Sequence, residues 1–153
     1  MAIYQTRWFD RWARKQKLTA SSLCTAAREM MAGLYDADLG GGLVKKRIAR
    51  PGQGKRGGFR TLVATNKGNR WVFVFGFPKN ERNNIDKDEE IALKHLAAHL
   101  LSLTKQGIDT ALAAGELMEI DCDAQNQISD SRSRSSNGQG ATQSRRDGSS
   151  DVA

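Results

Sequence analysis

The chain has 153 residues, a length that suits one domain, with 24 Lys and Arg against 17 Asp and Glu and a formal net charge of +7. That cationic excess favours an anionic partner, nucleic acid or an acidic protein, without choosing between them. No apolar run is long enough to cross a bilayer, and Met1 to Lys15 carry Trp, Arg and Asp where a secretory leader needs an apolar core. The two cysteines, Cys24 and Cys122, form no C-x-x-C or Cys/His cluster. The expectations are a cytoplasmic protein with two reduced thiols, no metal site and no cofactor.

Ile3 to Thr6 reads as a short first strand. From there to Lys17 the pattern is helical: Trp8 and Trp12 are four apart, as are Phe9 and Ala13, and together they give one apolar face. Asp10 and Arg14 suit an i,i+4 ion pair on the other face. Thr19 is a plausible N-cap for a second helix to about Leu34, with Leu23, Ala27, Met30 and Leu34 as its stripe. These two helices read as a hairpin. Gly40-Gly41-Gly42 then breaks the pattern.

Three strand-like runs follow, Leu43 to Ala49, Phe59 to Thr65 and Arg70 to Phe77, the last two joined by a tight turn at Asn66-Lys67-Gly68-Asn69. Trp71-Val72-Phe73-Val74-Phe75 is apolar on both faces, which marks a central strand. Asp86 and Glu89 resemble a capping box, opening a third helix to about Leu103 that buries Leu93, Leu96, Ala97 and Leu100. A short helix near Ile108 to Ala114 and an extended Leu117 to Ile120 end the domain. Residues 124–153 are Ser, Arg, Gly, Gln and Asp with almost no apolar content, and are expected to be disordered. The division is therefore a globular domain over 1–123 and a polar tail over 124–153. Segregated helices and consecutive strands make the class α+β, with an N-terminal helical hairpin packed on an antiparallel sheet and a C-terminal helix.

Chemistry concentrates between Leu43 and Arg60. Strict alternation puts Lys45 and Arg47 on one face of the first strand, and Lys46 and Arg50 on the other with Val44 and Ile48. Lys55 and Arg56 lie among the glycines of the Pro51 to Gly58 loop, and Arg60 opens the next strand. A basic sheet face beside a basic glycine-rich loop suits a phosphate backbone. The bland alternative is a solvated basic hairpin with no ligand. Gly52-Gln53-Gly54-Lys55-Arg56-Gly57 matches G-x-G-x-x-G in letters, but a strand follows it and not a helix, which rejects a dinucleotide site. No Ser or Thr follows Lys55, which rejects a Walker A loop.

Lys79, Glu81 and Arg82 follow the central strand. Glu81 near Lys79, Arg82 and Arg60 is either a base with a tuned pKa or a member of a surface ion-pair cluster. His95 and His99 have a spacing that can bind metal, but they lie opposite the leucine stripe with no third ligand, so they read as solvent- or partner-facing. Trp8, Trp12 and Trp71 could stack on bases, but their spacing assigns them to the core first.

The stretch from Val44 through Lys45-Lys46-Arg47 and Pro51 to Arg60 resembles the signature of RelE-like toxins of the HigB type. Phe75-Gly76-Phe77-Pro78-Lys79-Asn80-Glu81-Arg82-Asn83-Asn84-Ile85 resembles the second block of the same family. The resemblance covers roughly Ile3 to Ile120. It implies a microbial RNase-like (RelE-like) fold, and a toxin of a two-gene system neutralised by an antitoxin that often carries a helix-turn-helix domain. It also implies an endoribonuclease that cuts mRNA on the translating ribosome by attack of the ribose 2′-hydroxyl on the adjacent phosphate. Such chemistry needs a base, an acid and cations for the phosphorane. Matched position by position, Arg60 is the expected stabiliser of transition-state charge. Lys45 and Arg47 bind phosphate, one of them assisting proton transfer, and Glu81 is the candidate base. Lys46, Arg50, Lys55, Arg56, Lys79 and Arg82 would grip RNA or the ribosome.

Two positions depart from the pattern. Asn80 stands where some ribosome-dependent relatives have arginine, and no tyrosine follows Tyr35 where some have one near Asp86. Either a different acid–base pair operates or the activity is weak or lost. The alternatives on the same fold are a ParE-like inhibitor of DNA gyrase and a binding protein without catalysis.

Overall fold

The computed structural model describes residues 2–50 and 57–123. Within them the order is β1 (Ala2–Thr6), α1 (Arg7–Lys15), α2 (Ala20–Met31), β2 (Ala37–Gly40), β3 (Leu43–Ile48), β4 (Phe59–Thr65) and β5 (Arg70–Pro78), then α3 (Lys87–Ser102), α4 (Lys105–Ala113) and β6 (Leu117–Glu119). Met1–Asp121 form one compact unit, and Cys122 and Asp123 belong to a second, Cys122–Ala153. The polar tail over 124–153 lies outside the described residues. Both cysteines are disulfide-bonded, which corrects the expectation of reduced thiols.

The strands form one sheet in the order β2-β3-β4-β5-β1-β6. The expected antiparallel sheet is mixed, because β1 inserts between β5 and β6 and runs parallel to β5, with Ile3 opposite Trp71 and Gln5 opposite Phe73. β2 was not legible as a strand. It is short, carries Asp38 and Gly40, and shifts register between them, as edge strands do. α4 begins before the expected Ile108, because Thr104 caps it: its hydroxyl accepts from the Gly107 N–H at 3.0 Å. The turn after β4 is as expected, with the Asn66 side-chain oxygen accepting from the Gly68 and Arg70 N–H groups.

Helices cover both faces. α1 and α2 lie on the face of Val44, Lys46, Phe59, Thr61, Val63, Phe73 and Gly76. There Phe9 packs on Phe73 with ring centroids 5.2 Å apart, and Trp12 meets Phe59 edge-on at 5.5 Å. α3 and α4 bury Ala97, Leu100, Ile108 and Ala111 against the opposite face, on Leu43, Leu62, Ala64, Val72, Val74 and Phe77. Arg70, at the start of β5, fixes the carboxyl end of α3: its Nη1 donates to the carbonyls of Leu100 at 3.0 Å and Leu103 at 2.7 Å.

β5 contains one irregularity on which the site depends. Leu62 pairs with Phe75 but Val63 pairs with Phe73, so Val74 is an extra residue on β5. Such a bulge resets the alternation of everything beyond it. Phe73 faces α1, whereas Phe75 and Phe77 face the α3 side, and Gly76 between them lies on the α1 side.

Gly76 lies flat under the Trp12 indole: a Cβ there would sit 2.4 Å from Cζ3 and 2.6 Å from Cη2. Gly76→Val is therefore expected to destabilise the domain by about 2 kcal/mol, seen as a fall of roughly 8 °C in Tm. Gly68→Ala, whose Cβ would come no closer than 3.5 Å to Asn66, serves as the tolerated control.

Candidate nucleic-acid interface

Lys45 and Arg47, placed on one face by alternation, share the α3 side of the sheet with Arg60. In register, Lys45 stands opposite Leu62 and Leu62 opposite Phe75. One step along, Arg47 stands opposite Arg60 and Arg60 opposite Phe77. Cross-strand partners point to the same face, so Lys45, Arg47 and Arg60 occupy one patch next to two aromatic rings. Among the described residues none of the three forms an ion pair. The Nη1 of Arg60 is buried and has no hydrogen-bond partner among them. Two arginines directly opposite one another, one with a desolvated and unsatisfied donor, form an arrangement that costs stability in the free protein. An oxyanion between them would satisfy the donor and screen the repulsion.

Arg82 extends this row. Its guanidinium carbon lies 4.8 Å from the centroid of the Phe77 ring and 5.6 Å from that of Phe75. Its two terminal nitrogens donate to both oxygens of Glu89, at 2.8 and 2.9 Å. The same carboxylate accepts from the Asp86 N–H at 2.9 Å, while Asp86 accepts from the Glu89 N–H at 2.8 Å, so the expected capping box is present. One acid thus fixes both the start of α3 and the arginine on the rings. Hydrogen bonding from Arg82, then from the Asp86 N–H, holds the Glu89 carboxyl below its ordinary range, and the Glu89 bond raises Arg82. The sequence signals only the cap at Glu89; its clasp on Arg82 depends on the loop between β5 and α3.

Other expected contacts fall elsewhere. Lys46 is corrected: it is 8% exposed on the α2 face, donates to the Leu34 carbonyl at 2.9 Å and pairs with Glu29 at 2.8 Å. It cannot grip RNA alongside Lys45, because the sheet lies between them. Arg50 lies over the Phe59 ring at 4.8 Å and donates to the Gly57 carbonyl at 2.8 Å, which ties it to the base of the hairpin on the Trp12 side. Lys55 and Arg56 lie outside the described residues. Lys79 and Glu81 are exposed in the turn after β5. Glu81 is an electrostatic neighbour of Arg82, and among the described residues it makes no ion pair with Arg60. His95 and His99 are exposed on α3 as expected, and no group of three or more His, Cys, Asp or Glu able to hold a metal occurs among the described residues. Of the tryptophans, Trp71 is core, Trp12 is half-buried and Trp8 is 47% exposed, against the core expectation for all three.

A family model described as the RelE toxin of the RelE/RelB toxin–antitoxin system matches residues 1–120. The chain belongs to the RelE toxin family. No curated protein matches it. RelE-family toxins work with an antitoxin partner and are generally translation-inhibiting ribonucleases. The six-stranded sheet with four helices is compatible with a RelE-like fold. No helix among the described residues of this RelE-family chain is long and apolar enough to cross a membrane.

Two outcomes follow. Arg60→Met keeps an apolar stem and removes both the unsatisfied donor and the repulsion with Arg47; it is expected to raise the unfolding free energy by roughly 1 kcal/mol in urea titration. Glu89, with its lowered folded-state pKa, contributes stability that is fully present above the ordinary glutamate range near about pH 4.3 and is lost as pH falls through the lowered value. Glu89→Gln, which can still complete a capping box, should therefore be less stable than the parent at neutral pH and equal to it once the pH has fallen below the lowered Glu89 value. A gap that persists in acid would assign the effect to packing and not to charge.

Proposed function

We propose that this RelE-family toxin is an mRNA endoribonuclease that acts on translating ribosomes in the cytoplasm, and that its HigB-type kinship is the closer one within the family. The reading rests on Arg60, which has an unsatisfied buried donor and stands opposite Arg47, neither of them ion-paired among the described residues. That is an electrostatic field preorganised for a phosphate that gains charge as it reacts. The reaction needs no metal. The ribose 2′-oxygen attacks the adjacent phosphorus, the bond from phosphorus to the 5′-oxygen breaks, and the products are a 2′,3′-cyclic phosphate and a 5′-hydroxyl. A base takes the 2′-hydroxyl proton and an acid protonates the leaving 5′-oxygen.

In this scheme Arg60 stabilises the phosphorane. Lys45 and Arg47 bind the neighbouring non-bridging oxygens, and one of them assists proton transfer. Glu81 is the candidate base, reached through the turn after β5, and Lys79, Lys55 and Arg56 contribute charge toward RNA or the ribosome. Arg82, with two donors committed to Glu89, acts mainly through its stack on Phe75 and Phe77. The cognate antitoxin, of helix-turn-helix type, silences the protein by covering this patch.

A second reading, binding without cleavage or a ParE-like action on gyrase, is favoured by one observation: among the described residues no acid contacts Arg60. Controlled expression in a bacterium separates the two. Wild type should stop translation and generate cuts within coding regions. Arg60→Ala should lose about 10²–10³-fold of the cleavage rate while its unfolding midpoint is unchanged or raised. Growth arrest with DNA damage and intact mRNA would replace the nuclease with a gyrase-type toxin.

A further inference from the structure

A groove on the α3 side of the sheet has a volume of about 1160 Å³. It is lined by Val74 and Phe75 of β5, by Leu96, His99 and Leu103 and by Trp8 of α1. We infer that this groove is a nucleobase subsite: it takes the base of a nucleotide next to the phosphate held by Arg60, stacked on Trp8. The inference rests on the RNA-cleaving reading above and adds to it the element that reads the substrate.

Three observations carry it. First, Trp8 is 47% exposed although its helical spacing marks it for the core, and its indole is held rigidly. It stacks on Phe75 at 4.8 Å and 23° and lies parallel to Trp12 at 6.2 Å and 9°. Trp12 in turn is seated on Gly76, so the platform is fixed before any ligand arrives. An exposed, preordered aromatic plane is what a base needs, because every base has a π-face.

Second, the platform is continuous with the cationic patch. From Trp8 the contacts run to Phe75, to the Arg82 guanidinium over Phe75 and Phe77, and from Phe77 across the strand pair to Arg60 and Arg47. Trp8 stacks on Phe75, opposite Leu62, and Arg60 lies two residues along β4 from Leu62, so the two are about 12 Å apart by strand and stacking spacing. A base one or two nucleotides from the bound phosphate spans such a gap.

Third, the groove carries polar character suited to a base edge. The hydroxyls of Thr104 and Thr110 are engaged with the Gly107 N–H and the Gln106 carbonyl. The exposed His99 imidazole, by contrast, makes no hydrogen bond among the described residues. A groove of this volume is slightly above the roughly 300–1,000 Å³ of small-molecule sites, with room for a nucleotide and part of its neighbour. An apolar partner helix would fit the volume, but it would leave unmatched the cations that continue from Trp8 through Phe75 and Phe77, whereas a nucleotide chain satisfies both.

The test uses the full chain and a six-nucleotide RNA made uncleavable by 2′-O-methylation, with one abasic residue walked through it. For wild type, removing the base at one position should weaken binding on the order of tenfold. Trp8→Ala should bind the intact RNA about tenfold more weakly, and the abasic penalty at that position should vanish; Trp8→Phe, which keeps the stack on Phe75, should retain much of it. Arg60→Ala should weaken all the RNAs alike and keep the positional profile. An unchanged profile in Trp8→Ala overturns the subsite while leaving the RNA interface intact. The same result with loss of antitoxin capture assigns the groove to protein. If Arg60→Ala leaves every affinity unchanged, the RNA-cleaving reading has failed, and the subsite falls with it.

Discussion

The extra residue at Val74 decides what this sheet presents. Up to Phe73 the fifth strand alternates in register with its neighbours, with Phe73 under α1 and Val72 under α3. Were the alternation unbroken, Phe75 and Phe77 would follow Phe73 toward α1. The bulge turns both to the other side, beside Leu62 and Arg60, and leaves Gly76 as the one residue on the α1 side over which Trp12 can lie. A single inserted residue thus supplies the rings under Arg82, the ring under Trp8 and part of the groove lining.

Charge and packing pull against each other at the same place. The interior of the sheet is apolar and its one buried lysine, Lys46, is fully accommodated by Glu29 and the Leu34 carbonyl. On the other face of the same strand pair, Arg47 and Arg60 face each other with no such compensation among the described residues. The contrast matters because both solutions were open to the fold: a carboxylate near Arg60 would have relieved the repulsion, as Glu29 does for Lys46 and Glu89 for Arg82. Uncompensated cations in a partly desolvated patch are the signature of a site whose electrostatics are aimed at something outside the chain.

Much of this was legible in the sequence, for local reasons. Alternation separated Lys45 and Arg47 from Lys46, and the caps at Thr19 and Asp86, the turn at Asn66 and the stripe on α3 were read from rules that act over a few residues. What was missed depends on partners far away in the chain. β1 gains its central, parallel position only because β5 leaves an edge for it, and nothing in Ile3 to Thr6 states its orientation. The bulge has no marker within Trp71 to Phe77, because a run apolar on both sides tolerates a shift of one without exposing a polar residue. The exposure of Trp8 follows from the same source: it packs on Phe75, which the bulge has moved. Lys46 illustrates the opposite limit, since its face was read correctly and its burial against Glu29 was not.

β5 also explains how the groove keeps its width. Arg70 at its start binds the last carbonyls of α3, and Arg82, in the loop just beyond its end, binds Glu89 in the first turn of the same helix. The helix is therefore held to the one strand at both termini, by a charge-assisted bond at each, across the length over which the groove opens. The two clamps differ in kind. The Arg70 clamp uses neutral carbonyls and is indifferent to pH in the ordinary range, whereas the Arg82 clamp depends on an ionised carboxylate. The end of the helix nearest the cations is thus the one whose attachment responds to the ionisation of a side chain.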